Sequence, residues 1–151
     1  MLVHGWGGSF TTTWDRSGFT ALLADADRQV IGIDLLGHGS APKPHQPEAY
    51  ADLTDRVFEA MPDGPVDAVG FSLGALTLLR AAMAQPHRFR RLVLAGIGRN
   101  VFERDEEVMR RIVEAIESGG NEPGVDNHAR LFAQYAHQPG NDPIALAAIM
   151  K

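Results

Sequence analysis

A Gly-x-Ser-x-Gly pattern at residues 70–74 is the sharpest candidate for chemistry in the sequence. It reads Gly-Phe-Ser-Leu-Gly, ends the apolar run Val66–Gly70 and opens an apolar stretch with helical spacing. A serine on such a strand-to-helix turn can project its hydroxyl above the strand ends, because glycines two positions away let neighbouring backbone approach closely. The pattern makes Ser72 a candidate nucleophile. Capping the following helix is the simpler role for the same serine, and the pattern alone does not separate the two.

A second glycine-rich turn follows the first apolar run of the chain. It reads His-Gly-Trp-Gly-Gly at residues 4–8. Such a turn can free a backbone N–H that points at the same place as the N–H of Leu73, and two such donors can hold a developing oxyanion. A plain strand-to-helix turn is the alternative. A nucleotide-binding loop fits poorly, because the third glycine of that fingerprint would fall at Phe10 or, for the turn at 96–98, at Val101.

A third turn, Asp-Leu-Leu-Gly-His-Gly at residues 34–39, combines an acid with a histidine. His38 could act as a base, because imidazole titrates near neutral pH. It lies directly after its own apolar run, however, with a glycine on each side. The residues of this turn by themselves therefore assign it no chemistry.

Four short apolar runs precede these turns and predict the elements that position them. They cover residues 1–4, 29–34, 66–70 and 91–95, and each is rich in Val, Ile and Leu and followed by glycine. Such runs are typical of strands buried on both faces. Helical patterns span residues 14–24, 50–61 and 72–85 between them. Strands alternating with helices predict an α/β fold with a parallel sheet.

The character of the chain changes after Gly98, where no further strand is convincing. Residues 104–118 predict an amphipathic helix, which Gly119 and Gly120 end, and residues 127–136 predict a weaker one. A last helix opens with Asp142 as its cap and Pro143 in its first turn. The sequence therefore predicts a helical segment after the parallel sheet.

Composition excludes several functional classes. The 151 residues carry 14 Lys and Arg against 19 Asp and Glu, a net charge of −5, so no basic face for nucleic acid is expected. The absence of cysteine excludes disulfides, thiolate metal sites and a cysteine nucleophile. No run approaches the roughly 20 apolar residues of a membrane-spanning helix. We expect no cofactor and no metal, and a cytoplasmic location.

These pieces together resemble the α/β-hydrolase family of serine esterases, lipases and C–C-bond hydrolases. The resemblance rests on residues 2–9, 34–39, 69–75 and 91–95, which occur in the family's order and spacing. It implies that Ser72 is the nucleophile and that the backbone N–H groups of Trp6 and Leu73 form the oxyanion hole. It also implies that the motif glycines are Gly5, Gly70 and Gly74. The supporting scaffold that it implies consists of His4, Asp34 and His38.

The resemblance also implies a partial fold. We expect about four parallel strands in the order second–first–third–fourth, flanked by helices, with residues 1–98 as the N-terminal part of the core and 99–151 as an incomplete helical cap. His128 and His137 fall in or beside cap-like helices, and the acids at 103–107 are typical of a helix start. We therefore expect a fragment that lacks the first strands of the family, with the catalytic acid and histidine beyond Lys151.

The implied chemistry is acyl transfer through Ser72 on an ester or related carbonyl compound. Trp6, Phe71 and Leu73 predict an apolar pocket floor and hence a small apolar substrate. A serine hydroxyl without a neighbouring base is a poor nucleophile, so the chain alone is expected to be inactive. Two alternatives stay open: a non-catalytic binding protein on the hydrolase scaffold, and a perhydrolase or haloperoxidase-like enzyme that uses the same triad.

Overall fold

A four-stranded parallel sheet forms the centre of the computed structural model, which describes residues 1–103, 105–122 and 124–151. Its strands are β1 (Leu2–Val3), β2 (Gly32–Ile33), β3 (Val66–Phe71) and β4 (Phe89–Ala95). They lie in the order β2-β1-β3-β4, with Leu2 beside Gly32 on one side and beside Val69 on the other. The predicted fold class and strand order are confirmed.

In the part of the chain that the structure describes, six α-helices accompany the sheet. They are α1 (Phe19–Asp25), α2 (Thr54–Ala60), α3 (Leu73–Ala84), α4 (Glu106–Glu117), α5 (Asn127–Ala136) and α6 (Pro143–Met150). The predicted start of α4 at Arg104 lies outside the described residues. Within the described ranges, every helix falls short of the length and apolar character that crossing a bilayer requires.

The helix predicted over residues 14–24 is divided in the structure. A π-helical turn, Thr11–Asp15, is separated from α1 by a break at Gly18, whose φ of 80° no right-handed helix contains. Trp14 is buried in the first piece and its ring lies 5.2 Å from that of Phe19 in the second. A glycine therefore interrupts the predicted helix, and Leu22 of α1 is exposed.

The other boundaries shift by smaller amounts. The pattern over residues 50–61 divides into a 3-10 turn, Pro47–Tyr50, and α2. The first two strands keep only two residues each of their longer apolar runs, while β4 begins two residues before its predicted start. Helix α5 has the predicted bounds.

One face of the sheet carries the main hydrophobic core. Val66 and Ala68 of β3 point into it and pack with Val57 of α2 and Leu78 and Ala81 of α3, all buried. Because side chains alternate along a strand, the neighbouring residues face the other way. Phe71 and Val93 there are 46% and 54% exposed. The sheet is therefore well covered on one face only at β3 and β4, whereas Leu2 and Val3 of β1 are both buried.

Helices α4, α5 and α6 pack around a second cluster that contains Ile112, Ile116, Ala133 and Leu146. An aspartate caps each of them: Asp105 accepts from Val108 N–H, Asp126 from Ala129 N–H, and Asp142 from Ile144 and Ala145 N–H. Such caps satisfy backbone donors that a helix start leaves free. The predicted Asp142 cap and the position of Pro143 in the first turn are confirmed.

Candidate functional site

Ser72 occupies a strained turn between the end of β3 and the start of α3. Its φ of 52° and ψ of −116° are rare for a residue with a side chain. The backbone is held on both sides: Ser72 N–H donates to Ala95 O at 2.8 Å, and Leu76 N–H donates to Ser72 O at 3.1 Å. The Ser72 side chain makes no capping hydrogen bond to the helix. Helix capping, the simpler role for this serine, is therefore not what the side chain does.

Two glycines permit this turn because backbone lies where a side chain would be. A Cβ atom on Gly70 would lie 2.7 Å from Ala75 N, and one on Gly74 would lie 2.4 Å from His4 O. Both distances are far below those of real Cβ contacts, so the elbow requires glycine at both positions. Through Gly74 the start of α3 touches the end of β1, which brings the two glycine-rich turns together.

The turn at residues 4–8 lies directly beside Ser72. A Cβ on Gly5 would lie 3.2 Å from Ser72 Cβ and 3.0 Å from the Phe71 ring. Among the described residues, no acceptor is hydrogen-bonded to the backbone N–H of Trp6 or of Leu73. The Leu73 N–H belongs to the first residue of α3, where helix geometry provides no partner and the helix dipole is positive. Both N–H groups are thus available to an incoming oxygen.

A cleft of about 320 Å³ opens above Ser72. Its floor is formed by Gly5, Trp6, Phe71 and Ser72, and its other wall comes from α5 through Leu131, Phe132 and Tyr135. No charged side chain of the described residues lines it. The cleft therefore suits an apolar group next to the serine hydroxyl.

The prediction that Leu73 forms part of the pocket floor is wrong. Leu73 does not line the cleft, because its side chain packs inward against the core on the α2 side and against Tyr50 and Leu53. The wall formed by α5 was missed in the sequence. A signal for it exists: one face of α5 has only alanines, at 129, 133 and 136, while the large side chains at 131, 132 and 135 lie elsewhere on the helix.

Three contacts fasten this helical wall to the turn at residues 4–8. The Trp6 indole Nε1–H donates to Leu146 O at 3.1 Å, and the Trp6 ring lies 5.1 Å from that of Phe132. Asn141 Nδ2 donates to Gly7 O at 2.8 Å and to Tyr135 O at 3.0 Å. The same turn thus meets the serine on one side and the helices on the other.

His4 is a buried structural residue beneath the turn at residues 4–8. Its Nδ1–H donates to Gly5 O at 2.8 Å and its Nε2 accepts from Leu35 N–H at 3.1 Å, which requires the neutral ring. Burial, the strongest influence, lowers the pKa of His4, against the opposing effects of the Gly5 hydrogen bond and nearby Asp34. His4 therefore ties β1 to the segment after β2, and backbone groups occupy both of its ring nitrogens.

His38 is fully buried 5.0 Å from the His4 ring. Its Nδ1–H donates to Leu36 O, and no described group is hydrogen-bonded to its Nε2. Burial, followed by the proximity of His4, lowers its pKa to about 4. No contact with Ser72 is found for His38 in the described chain, as expected from its position in the turn.

Asp34 organises the backbone around the third turn. Its Oδ1 accepts from Phe10 N–H at 2.7 Å, and its Oδ2 accepts from Ser40 N–H and the Ser40 hydroxyl. Burial alone would raise the pKa of Asp34, but these donors together lower it. Among the described residues, these oxygens make no hydrogen bond to Ser72.

No base lies against the serine within the described residues. The Ser72 hydroxyl has no hydrogen-bond partner there. His128 lies with its ring 5.0 Å from Phe132, and His137 Nδ1–H donates to Ala133 O. No group of three or more metal-ligating side chains occurs in the same residues. The structure thus holds a nucleophile-like turn and two free N–H donors without an adjacent base.

A family model described as the alpha/beta hydrolase fold matches residues 1–142. A 2-hydroxy-6-oxo-2,4-heptadienoate hydrolase from Pseudomonas putida is 30% identical over 141 residues, which are 91% of this chain and 48% of that protein. A pimeloyl-[acyl-carrier protein] methyl ester esterase from Neisseria meningitidis serogroup C is 38% identical over 99 residues, or 63% of this chain and 35% of the esterase. The chain thus spans at most about half the length of these relatives.

A solved structure shares the fold over nearly the whole chain. The bottromycin epimerase in complex with bottromycin A2 superposes with a TM-score of 0.66, covering 99% of this chain and 61% of that one at 22% identity. At that identity the likeness concerns the fold alone.

Proposed function

Because this chain belongs to the α/β-hydrolase fold family, we propose that Ser72 is the nucleophile of a serine hydrolase that acts on a carboxylic ester or related carbonyl compound. The observation that carries the proposal is the Ser72 turn itself. A residue with a side chain is held at a φ of 52° at the entrance of an apolar cleft, and it does not cap its helix. Backbone strain of this kind is typical of functional sites.

In the proposed reaction, the Ser72 hydroxyl oxygen attacks the carbonyl carbon of the substrate. Its proton passes to a histidine supplied from outside the described residues, since none of the described histidines contacts Ser72. The same proton then goes to the departing alcohol, which leaves an acyl-serine. Water attacks this acyl-serine, the acid is released and the serine hydroxyl is restored.

The developing oxyanion is held by the backbone N–H groups of Trp6 and Leu73. Support comes from their lack of protein acceptors among the described residues and from the closeness of Gly5 to Ser72. Fixed donors of this kind stabilise the transition state without rearrangement, and losing one costs on the order of a hundredfold or more in rate. The glycines at 5, 70 and 74 are proposed to keep this arrangement compact, with His4, Asp34 and His38 as supporting scaffold.

Two observations support an ester as the class of substrate. The lining of the cleft is apolar and, among the described residues, uncharged. Among the relatives, one is named a methyl ester esterase and another a hydrolase of a 6-oxo acid, so both names describe the hydrolysis of a compound that contains a carbonyl group. Helices α4 to α6 are proposed to be part of a cap over this cleft.

The experiment that tests the nucleophile compares the complete gene product with its Ser72→Ala variant. We expect covalent labelling by a fluorophosphonate and hydrolysis of p-nitrophenyl butyrate in the parent, and loss of labelling together with at least a roughly thousandfold lower kcat/KM in the variant. Ser118→Ala, at the exposed end of α4, is the matched control and should keep both properties. Labelling that survives Ser72→Ala would contradict the proposal.

A non-catalytic binding protein is the second candidate, favoured by the absence of a partner for the Ser72 hydroxyl in the described residues. The same comparison separates the two. A binding protein would show no labelling in the parent, and Ser72→Ala would leave the affinity for apolar esters unchanged.

A further inference from the structure

Tyr135 stands between two cavities of different chemistry. It is the residue shared by the linings of the apolar cleft above Ser72, of about 320 Å³, and of a second cavity of about 350 Å³. Gly7 and Gly8 of the turn at residues 4–8 line the second cavity, whereas Gly5 and Trp6 of the same turn line the first. The Tyr135 side chain therefore forms the partition between them.

The partition is held firmly against the turn. Gly7 has a φ of 71°, and a Cβ there would lie 2.5 Å from Tyr135 Cδ1, so the ring rests directly on the glycine backbone. The Asn141 side chain fastens the same two residues, since its Nδ2 donates both to Gly7 O and to Tyr135 O. The ring thus lies against the Gly7 backbone and the Tyr135 main chain is fastened to the same turn, while the residue is 43% exposed.

The two cavities would accept different groups. The cleft above Ser72 has an aromatic and aliphatic lining, whereas the second cavity has polar groups around it, which include Ser9, Thr12, Asp34, Ser40, Gln138 and Asn141. An apolar chain that starts at Ser72 gains by burial until it meets the Tyr135 ring. Beyond the ring the chain would need to displace water from polar groups, which opposes binding.

We infer that Tyr135 is a specificity-determining residue that sets the greatest length of the apolar acyl group that the cleft accepts. The identity of the ligand as an acyl group rests on the function proposed above. The intact protein would then select short, uncharged acyl groups. Removal of the ring would join the two cavities and admit longer acyl groups.

The experiment measures binding, so that it does not depend on the nucleophile. In a Ser72→Ala background of the complete gene product, dissociation constants for unbranched methyl esters from butanoate to decanoate are measured by calorimetry. Each additional buried methylene should strengthen binding about fourfold until the chain meets the ring, after which the gain should cease. In Tyr135→Ala the gain should continue for about two more methylenes, which occupy the space that the ring leaves, and should cease where the polar groups of the second cavity begin.

Two controls separate the partition from the general lining. Tyr135→Phe keeps the ring and should keep the cut-off. Leu131→Ala enlarges only the apolar cleft, because Leu131 does not line the second cavity, and it should weaken binding without moving the cut-off.

An equal cut-off in the parent and in Tyr135→Ala overturns the inference, and so does a failure of every ester to bind. Failure of the nucleophile proposal looks different: fluorophosphonate labelling would be absent or insensitive to Ser72, while the chain-length cut-off and its dependence on Tyr135 would persist.

Discussion

Gly74 shows how a single residue without a side chain holds the candidate site together. The carbonyl oxygen of His4 would lie 2.4 Å from a Cβ at this position, and neither the strand nor the helix can move aside. We expect Gly74→Ala to lower the free energy of unfolding by about 2 kcal/mol or more, as an overpacked interior does.

Gly64 is the matched control for that substitution. A Cβ added to Gly64 would meet no atom within 4 Å, and the residue is exposed. Gly64→Ala should change the free energy of unfolding by less than about 0.5 kcal/mol. Urea denaturation measures both, and an equal effect of the two substitutions would contradict the close approach of α3 to β1.

The buried histidine pair makes stability depend on pH. Burial and the nearby His4 lower the pKa of His38 from 6.5 to about 4 in the folded protein. Between these pH values the unfolded chain therefore binds a proton that the folded chain does not. The free energy of unfolding should fall as the pH falls from about 6.5 to 4, by on the order of 1–3 kcal/mol, and should not change from this cause above about pH 7.

The dependence is measured by urea denaturation at several pH values. His38→Leu should reduce the slope of the free energy of unfolding against pH. The slope that remains is due to His4, because burial lowers the pKa of His4 as well. His87→Asn, on an exposed 3-10 turn, is the control and should keep the slope of the parent. A slope that His38→Leu leaves unchanged would show that other groups cause it.

At the scale of elements, the Asn141 side chain joins the end of α5 and the start of α6 to the glycine-rich turn at residues 4–8. Asn141→Ala removes the hydrogen bonds to Gly7 O and Tyr135 O. We expect a loss of about 1–2 kcal/mol in the free energy of unfolding and faster amide hydrogen exchange in α5. Asn121→Ala, at an exposed position, is the control. Unchanged exchange in α5 would contradict the role of Asn141.

The helices also show which structural features sequence patterns predict correctly. Helix α5 has the bounds that its pattern predicts, and Asp142 caps α6 as expected, because caps and apolar stripes are local features. The break at Gly18 was not predicted, because a glycine within a helical pattern is compatible with both a helix and a turn. The division of the chain at residues 98 and 99 stays a prediction.

At the scale of the whole molecule, the β4 side of the sheet has one covered and one open face. Leu92 of β4 packs against the core, whereas its neighbour Val93 is 54% exposed. We expect Leu92→Ala to lower the free energy of unfolding by about 2 kcal/mol and Val93→Ala by less than about 1 kcal/mol. Thermal or urea denaturation of the pair measures this, and equal losses would mean that both faces of the sheet are covered in solution.

From the sequence alone, the parallel sheet, the serine on its elbow and the glycine-rich turn at residues 4–8 follow, because each depends on a short motif or a local period. The order of the strands followed only from the resemblance to the α/β-hydrolase family. The wall of the cleft could not be derived in the same way. Leu131, Phe132 and Tyr135 are more than 50 residues from Ser72 in the chain, and nothing in their own spacing indicates which surface they meet.

Tertiary structure alone decided which side chains share the cleft. It directed Leu73 into the core while leaving its N–H free, and it placed the Tyr135 ring on Gly7. The physical reason is that backbone hydrogen bonds and turn conformations depend on neighbours in the chain, whereas packing depends on which distant surfaces bury each other's apolar groups.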